Sequence, residues 1–353
     1  MKKSILGLRR EELEQILKPS FRASQVFSWV YSGFVDSFDE MLNLPKNMRE
    51  SLAEEFVIAP LSIINKECSS DGTIKYLLRL QDGKTIEAVW LKMRQEVYGE
   101  DGVLESEARY TICVSTQVGC KVGCSFCLTA KGGFSRDLDA GEIVAQVLEL
   151  KKDNNHPQNR RVNVVYMGMG EPLDNLDALS QAIEILQDEN GLAISGKRQT
   201  VSTSGLSTKI DALAKMDLGV HIAISLHAVD DELRSELIPM NKAYNIASII
   251  DAVRRFPIDT RKRVMFEYLV IRDKNDDLAS AKKLVKLLSG IRAKVNLIYF
   301  NPYPGSIYER PLTKSMVEFQ QYLIDRSLLC TIRDSKGIDI SAACGQLKSK
   351  EGA

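Results

Sequence analysis

Between about residues 108 and 300 the chain alternates six strand-like runs with helical segments, and no other feature constrains its fold as tightly. The strand-like runs are 110–114, 162–167, 198–202, 221–226, 263–271 and 294–300. Helical apolar spacing occupies 140–151, 176–186, 207–215, 246–255 and 277–288. Strands joined by helical crossovers pair in parallel and carry the helices outside. Right-handed crossovers curl such a sheet into a barrel or part of one. The expected class is α/β, with a partial (βα)6 barrel. Chemistry in such folds sits in loops at the carboxyl ends of the strands.

Three units are expected along the 353 residues. Residues 1–100 form an N-terminal accessory domain of helices and a small sheet. Its helices are expected at 10–17, 23–32 and 45–56, and a hairpin at 74–80 and 85–91 turns on Asp82-Gly83. Residues 101–305 form the barrel. Residues 306–353 form a short C-terminal extension with a helix at 314–328, a strand at 330–333 and a small-residue segment carrying Cys344.

Hydrophobic residues at 44% and charged residues at 27% allow a full core and exclude a disordered chain. Forty-seven Lys and Arg balance 47 Asp and Glu, which excludes nucleic-acid binding by bulk charge alone. Local basic clusters occur at Lys2-Lys3, Arg9-Arg10, Arg160-Arg161, Arg254-Arg255 and Arg261-Lys262-Arg263, each ordinarily a solvated face. No run of about 18 apolar residues exists, so no membrane span is expected. The apolar stretch after Met1-Lys2-Lys3 is broken at Arg9, Arg10, Glu11 and Glu12, so no secretion signal is expected and the location is cytoplasmic.

Seven cysteines, an odd number, argue against a disulfide framework. Cys120, Cys124 and Cys127 form a C-x3-C-x2-C triplet just after the first barrel strand. Thiolates so spaced can converge on one soft metal centre. A structural zinc site wants four protein ligands, and neither a second cysteine pair nor clustered histidines supply the fourth. Three ligands suit a 4Fe–4S cluster with one iron open. Met167-Gly168-Met169-Gly170-Glu171-Pro172 ends the second strand and reads either as a turn or as a close backbone approach to a ligand. Ser202-Thr203-Ser204-Gly205, Ser225-Leu226-His227 and Asn301 end the third, fourth and sixth strands. Singly they are turns or caps; their shared end of the barrel makes them a candidate site. Cys113 alone reads as a small buried hydrophobe, and Cys68 and Cys330 as core residues. Cys344, among Ala342, Ala343 and Gly345, reads as an accessible thiol on a mobile loop.

The triplet in this setting, with Phe126 before its last cysteine, resembles the radical S-adenosylmethionine superfamily. That resemblance implies that Cys120, Cys124 and Cys127 hold a 4Fe–4S cluster. It also implies that Gly170, Glu171, Ser202, Ser225, Leu226, His227 and Asn301 bind S-adenosylmethionine. The wider pattern adds Val114-Ser115-Thr116-Gln117-Val118-Gly119-Cys120, Asn301-Pro302 and Asp339-Ile340-Ser341-Ala342-Ala343-Cys344-Gly345-Gln346-Leu347. Over essentially the whole chain it resembles the RlmN-type adenosine carbon-2 methyltransferases of 23S ribosomal RNA and transfer RNA.

That family uses two S-adenosylmethionine molecules per turnover. One methylates the tail cysteine, here Cys344. The other is cleaved reductively, and the resulting radical takes a hydrogen from the S-methyl group so that carbon can add to the adenine ring. By motif position Cys113 is the resolving thiol, leaving a Cys113–Cys344 disulfide, and Glu87 accepts the carbon-2 proton. By its own position Glu87 reads as an exposed strand carboxylate. The implied partners are 23S rRNA, tRNA and an electron donor such as flavodoxin or ferredoxin with its reductase, and the chain is expected to be a monomer. RNA docking is expected on the N-terminal unit, with the adenosine splayed into the barrel mouth. The residues alone leave three alternatives: a carbon-8 adenosine methyltransferase, a radical activase of a protein partner, and a zinc-stabilised RNA-binding module.

Overall fold

The computed structural model describes residues 2–348 apart from 100, 102, 260 and 261; Arg261, one of the basic residues noted above, lies outside the described residues. Seven strands stand side by side in chain order, each parallel to the next: Arg109–Cys113, Val162–Tyr166, Gln199–Thr203, His221–Ser225, Val264–Val270, Ala293–Tyr299 and Leu329–Arg333. The six expected strands are all present. The C-terminal strand joins them as a seventh, pairing Ile298 with Arg333.

The crossover helices follow the apolar spacing. Ile246–Arg255 buries Ile246, Ile249, Ile250, Ala252 and Val253, one helical face, against the sheet. Asn245 caps its start by accepting from the Ser248 amide. Ala140–Asp153 starts with a capping box between Asp139 and Glu142. The 7-residue helix Asp231–Leu237 was not expected, because its acidic start and short length weaken the apolar period.

The hairpin forms as expected, with strands Ile74–Leu80 and Thr85–Arg94. It does not stand apart from the barrel. Thr85–Arg94 pairs antiparallel with the first barrel strand, Val89 facing Cys113, so one ten-stranded sheet runs from the accessory region into the barrel. Its outer edge is Leu61–Cys68, a strand that Asn65, Lys66 and Glu67 hide from hydrophobic pattern reading. Exposed polar residues suit an edge.

The N-terminal helices Arg10–Ile16, Phe21–Tyr31 and Lys46–Glu55 close over the same core. One continuous apolar cluster runs from Leu6, Phe27 and Tyr31 through Val144 and Ile224 to Phe319 and Leu323. The join is tight: a Cβ on Gly141 would stand 2.6 Å from the Ser4 Cβ and 2.9 Å from the Gly7 amide nitrogen. Among the described residues no helix is long and apolar enough to cross a membrane.

Candidate active site

The carboxyl ends of the seven parallel strands surround one cavity of about 160 Å³. Its wall includes Cys120, Cys124 and Cys127 from the first loop, and Gly168, Gly170 and Glu171 from the second. Ser202 and Ser204, Ser225 and His227, and Asn301 continue it, with Cys344 from the C-terminal extension. Every cavity-lining candidate above therefore converges on one mouth. Leu226 does not line it: its side chain is buried, its amide donates to the Glu267 carbonyl, and its carbonyl accepts from Arg234.

The cysteine loop is fixed by a short hairpin. Gln117–Gly119 pairs with Phe134–Asp137, and the Cys120 amide donates to the Gly133 carbonyl at 2.9 Å. Gly119 has φ +81°, and a Cβ there would stand 2.0 Å from the Gly133 oxygen, so only glycine fits. The Ser125 amide donates to the Leu237 carbonyl, and the Phe126 ring meets His227 edge-on at 5.1 Å. Val122, Leu237, Ile238, Leu269, Ile298, Phe300 and Tyr308 form an apolar shell around the thiols. Burial pushes the Cys120 thiol up to about 12 and the Cys124 thiol well above its ordinary value, with Val122 and Arg234 respectively opposing the shifts.

This donor set fits an iron–sulfur cluster better than zinc. Zinc bonds of about 2.3 Å draw thiolates to about 3.8 Å from one another. Among the described residues no three His, Cys, Asp or Glu side chains gather around one ion-sized point. Three thiols instead line a shared, mostly apolar cavity at the strand ends, a setting that suits a thiolate-held cluster. Metal binding would have to displace the protons that burial favours.

The Gly-Glu turn is built by neighbouring loops. Gln117 Oε1 accepts from the Glu171 amide at 2.9 Å. A Cβ on Gly170, at φ +105°, would stand 2.7 Å from the Gln117 Cβ. The glycine is thus demanded by the chain's own packing, a reason independent of ligand approach. Glu171 is buried; its carboxylate accepts from the Ser204 amide at 2.7 Å and the Leu173 amide at 3.1 Å. Burial raises its pKa and those amides oppose the rise. It ties the second strand end to the third.

His227 sits at φ +59° with Nδ1 accepting from the Leu269 amide. Burial first, then Arg234, pushes its pKa down to about 3, so the ring is neutral. Asn301 is held at both ends, donating to Ser335 Oγ and accepting from Arg310. Sequence reading missed Arg234, a fully buried guanidinium that donates to the Leu226, Ser204 and Ser225 carbonyls and to Asn241. A lone arginine in an acidic helix gave no signal; only the fold turns it inward.

Cys113 and Cys344, far apart in sequence, line one smaller cavity beside the first. Cys113 is buried and Cys344 exposed, and both are free thiols, so the expected disulfide is not formed here. Cys330 is buried as expected, whereas Cys68 is exposed on the edge strand. The Cys344 loop is not loose. Ile340 O accepts from Lys75 Nζ at 2.6 Å, the Gly337 amide donates to Asp71 at 3.0 Å, and the Ser70 amide donates to Asp339 at 3.2 Å. On the other side the Leu128 amide, next to Cys127, donates to the Gly345 carbonyl at 2.7 Å.

Glu87 is buried rather than exposed, at 2%. The antiparallel pairing with the first barrel strand turns it inward near Ser115, whose hydroxyl donates to the Glu87 carbonyl. Its Oε2 accepts from the Lys348 amide at 2.9 Å, and Lys75 Nζ lies 3.7 Å from Oε1. It lines neither cavity. Two of the five basic clusters are engaged in ion pairs with the chain's own carboxylates. Arg9 pairs with Glu184, Arg10 with Glu14, Arg254 with Asp251 and Arg255 with Asp211.

Residues 114–285 match the Radical SAM superfamily, and residues 3–58 match the ribosomal RNA large subunit methyltransferase N-terminal domain. A dual-specificity RNA methyltransferase RlmN from Sulfurimonas denitrificans is 72% identical over 99% of this chain and 98% of its own length. Its counterpart from a Nitratiruptor species is 64% identical over the same shares. The crystal structure of a radical SAM methyltransferase from Sphaerobacter thermophilus matches with TM-score 0.89 at 42% identity, covering 98% of this chain and 99% of that one. At such identity over nearly the full length of both chains, this chain belongs to the RlmN family of RNA methyltransferases within the radical S-adenosylmethionine superfamily.

Proposed function

We propose that this enzyme adds a methyl group to carbon 2 of adenosine in 23S rRNA and tRNA, with Cys344 as methyl carrier and Cys113 as resolving thiol. One observation carries the reading: the two thiols share a cavity that opens beside the cluster cavity. A zinc-binding module or a protein activase has no use for that pair. The cofactors are a 4Fe–4S cluster and S-adenosylmethionine, two molecules per turnover. When bound, the cluster supplies the electron that generates the radical needed at an unreactive ring carbon.

The chain's own residues do the rest. Cys120, Cys124 and Cys127 would hold three irons, and the strand-end groups at Gly170, Glu171, Ser202, Ser225, His227 and Asn301 would orient S-adenosylmethionine. The apolar shell excludes water, which protects reactive species. Cys344 presents the carbon to be transferred as a thioether. Glu87 accepts the proton leaving carbon 2 once the Lys348 segment lifts from it. Cys113, as thiolate, then attacks the Cys344 sulfur. A sulfur–sulfur bond forms and the sulfur–carbon bond breaks. The electron pair stays on the carbon, which takes up a proton to become the methyl group. A thiol reductant reopens the disulfide. RNA docks through the N-terminal unit, and a flavodoxin- or ferredoxin-type donor supplies electrons to a cytoplasmic, monomeric enzyme.

The test uses both cysteine mutants expressed in cells. Cys113→Ala should accumulate protein cross-linked to RNA on denaturing gels, removable by nuclease. Cys344→Ala should give neither cross-link nor product. Mass spectrometry of nucleosides from wild-type reactions should show 2-methyladenosine; 8-methyladenosine would overturn the position, and cross-links in Cys344→Ala would overturn the roles.

A further inference from the structure

Cys113 lies where a thiolate is hard to form. The cavity it shares with Cys344 is walled by Val89, Leu91, Val165, Met167 and Ile298, among others. A buried anion in such a wall needs a counter-charge.

Arg333 ends the seventh parallel strand, opposite Ile298. Two residues earlier Thr331 is in register with Asn296, and Asn296 with Glu267. Their side chains form a ladder: Thr331 Oγ1 donates to Asn296 Oδ1, and Asn296 Nδ2 donates to Glu267 Oε1, both at 2.8 Å. Because strand side chains alternate, Arg333 faces the same way one rung nearer the mouth. It lines both cavities, the one with the cluster cysteines and the one with Cys113 and Cys344. Glu267 Oε2, buried and without a hydrogen-bond partner, belongs to the same inward face.

We propose that Arg333 is a positioning residue for the thiol pair, its guanidinium supplying the counter-charge under which Cys113 attacks the Cys344 sulfur. This rests on the thiol roles proposed above. In the attack the two sulfurs are oxidised to a disulfide, and the carbon leaving Cys344 is reduced by the electron pair it keeps and is then protonated. Arg333 gives up no proton; guanidinium stays charged throughout. The electrostatics agree. Burial pushes the Cys113 thiol up to about 12, Cys344 adds to this, and Arg333 and the Met167 backbone oppose it. Free Cys344 foremost raises the Arg333 pKa against its burial, with Glu267 and Cys113 adding to the rise; once Cys344 is a neutral thioether, Glu267 and Cys113 are the anionic partners that remain. The other charged groups facing the pair are Asp334 and Lys336.

The holoenzyme, purified anaerobically, is treated with iodoacetamide across a pH series, and modification of Cys113 is followed by mass spectrometry. Arg333→Met should move the onset of Cys113 alkylation up by about one pH unit, about tenfold slower at fixed pH. Arg333→Lys should restore part of it, and Lys336→Met should leave it in place. In cells, Arg333→Met should accumulate RNA cross-linked protein, as Cys113→Ala does, with cluster absorbance retained. An unshifted alkylation profile overturns the proposal, as does a shift in Lys336→Met equal to that in Arg333→Met. Should Arg333→Met fail to fold, Arg333→Gln takes its place: an upward shift supports the counter-charge, and none overturns it. Cross-links in Cys113→Ala without them in Arg333→Met remove the role of Arg333 alone. Their absence in Cys113→Ala removes the thiol roles themselves.

Discussion

Gly170 shows how a motif residue can answer to two masters. Its proposed place beside S-adenosylmethionine suggests that bare backbone is needed for close approach. The structure adds a stricter demand, since φ +105° and the nearness of Gln117 exclude a Cβ with no ligand present. Gly170→Ala should therefore lower the thermal stability of the protein freed of S-adenosylmethionine, by on the order of 1–2 kcal/mol for the left-handed backbone alone. Unchanged melting with weakened S-adenosylmethionine binding would assign the glycine to the ligand instead. Residue identity was the most legible level. The cysteine triplet and the strand-end motifs stood out by spacing, whereas Arg234 and Arg333 did not, since nothing local distinguishes an inward arginine from a solvated one.

The Cys344 loop carries the proposed methyl carrier, and small residues made it read as mobile. Its backbone is instead gripped by Asp71 and Lys75 from the accessory region and by Leu128 from the cysteine loop, and its Asp339 carboxylate accepts from the Ser70 amide. Burial raises the Asp71 pKa, but hydrogen bonds from Thr73, Gly337 and Ser69 outweigh it, so the net shift is downward. Asp339 is likewise lowered, by Ser69 and Ser70. A carboxylate depressed in the folded state stabilises above its unfolded pKa and loses that contribution as pH falls through the folded one. Acidification below the ordinary carboxylate range should therefore release this loop before the barrel unfolds. Limited proteolysis across a pH series should show cleavage between residues 334 and 348 rising first. Simultaneous cleavage everywhere would show that the carboxylates do not hold it. Element boundaries in the barrel were legible because periods of two and 3.6 differ. The edge strand Leu61–Cys68 was not, because an exposed edge carries no apolar alternation.

At the scale of the molecule, the accessory helices share one core with the barrel. Removing the N-terminal unit would strip Ser4 and Gly7 from Gly141 on the helix Ala140–Asp153 and open the shared core. Thermal unfolding followed by calorimetry should show one transition, and Gly141→Val should lower it, since the Cβ would strike Ser4 and Gly7. Two separated transitions, or an unaltered midpoint in the mutant, would show that the parts are independent. A truncation beginning after residue 58 should aggregate for the same reason.

The sequence by itself determined the alternating barrel, the cysteine loop and the strand-end motifs. Each is written in local spacing, and parallel crossovers bring all carboxyl strand ends to one side whatever the details. Only the tertiary structure decided that the hairpin strands extend the barrel sheet, which places Glu87 inside and Val89 against Cys113. It also brought Arg333 and Cys344 to the Cys113 cavity. Those placements depend on strand pairing and side-chain direction between distant segments, and a one-residue change of register would reverse them.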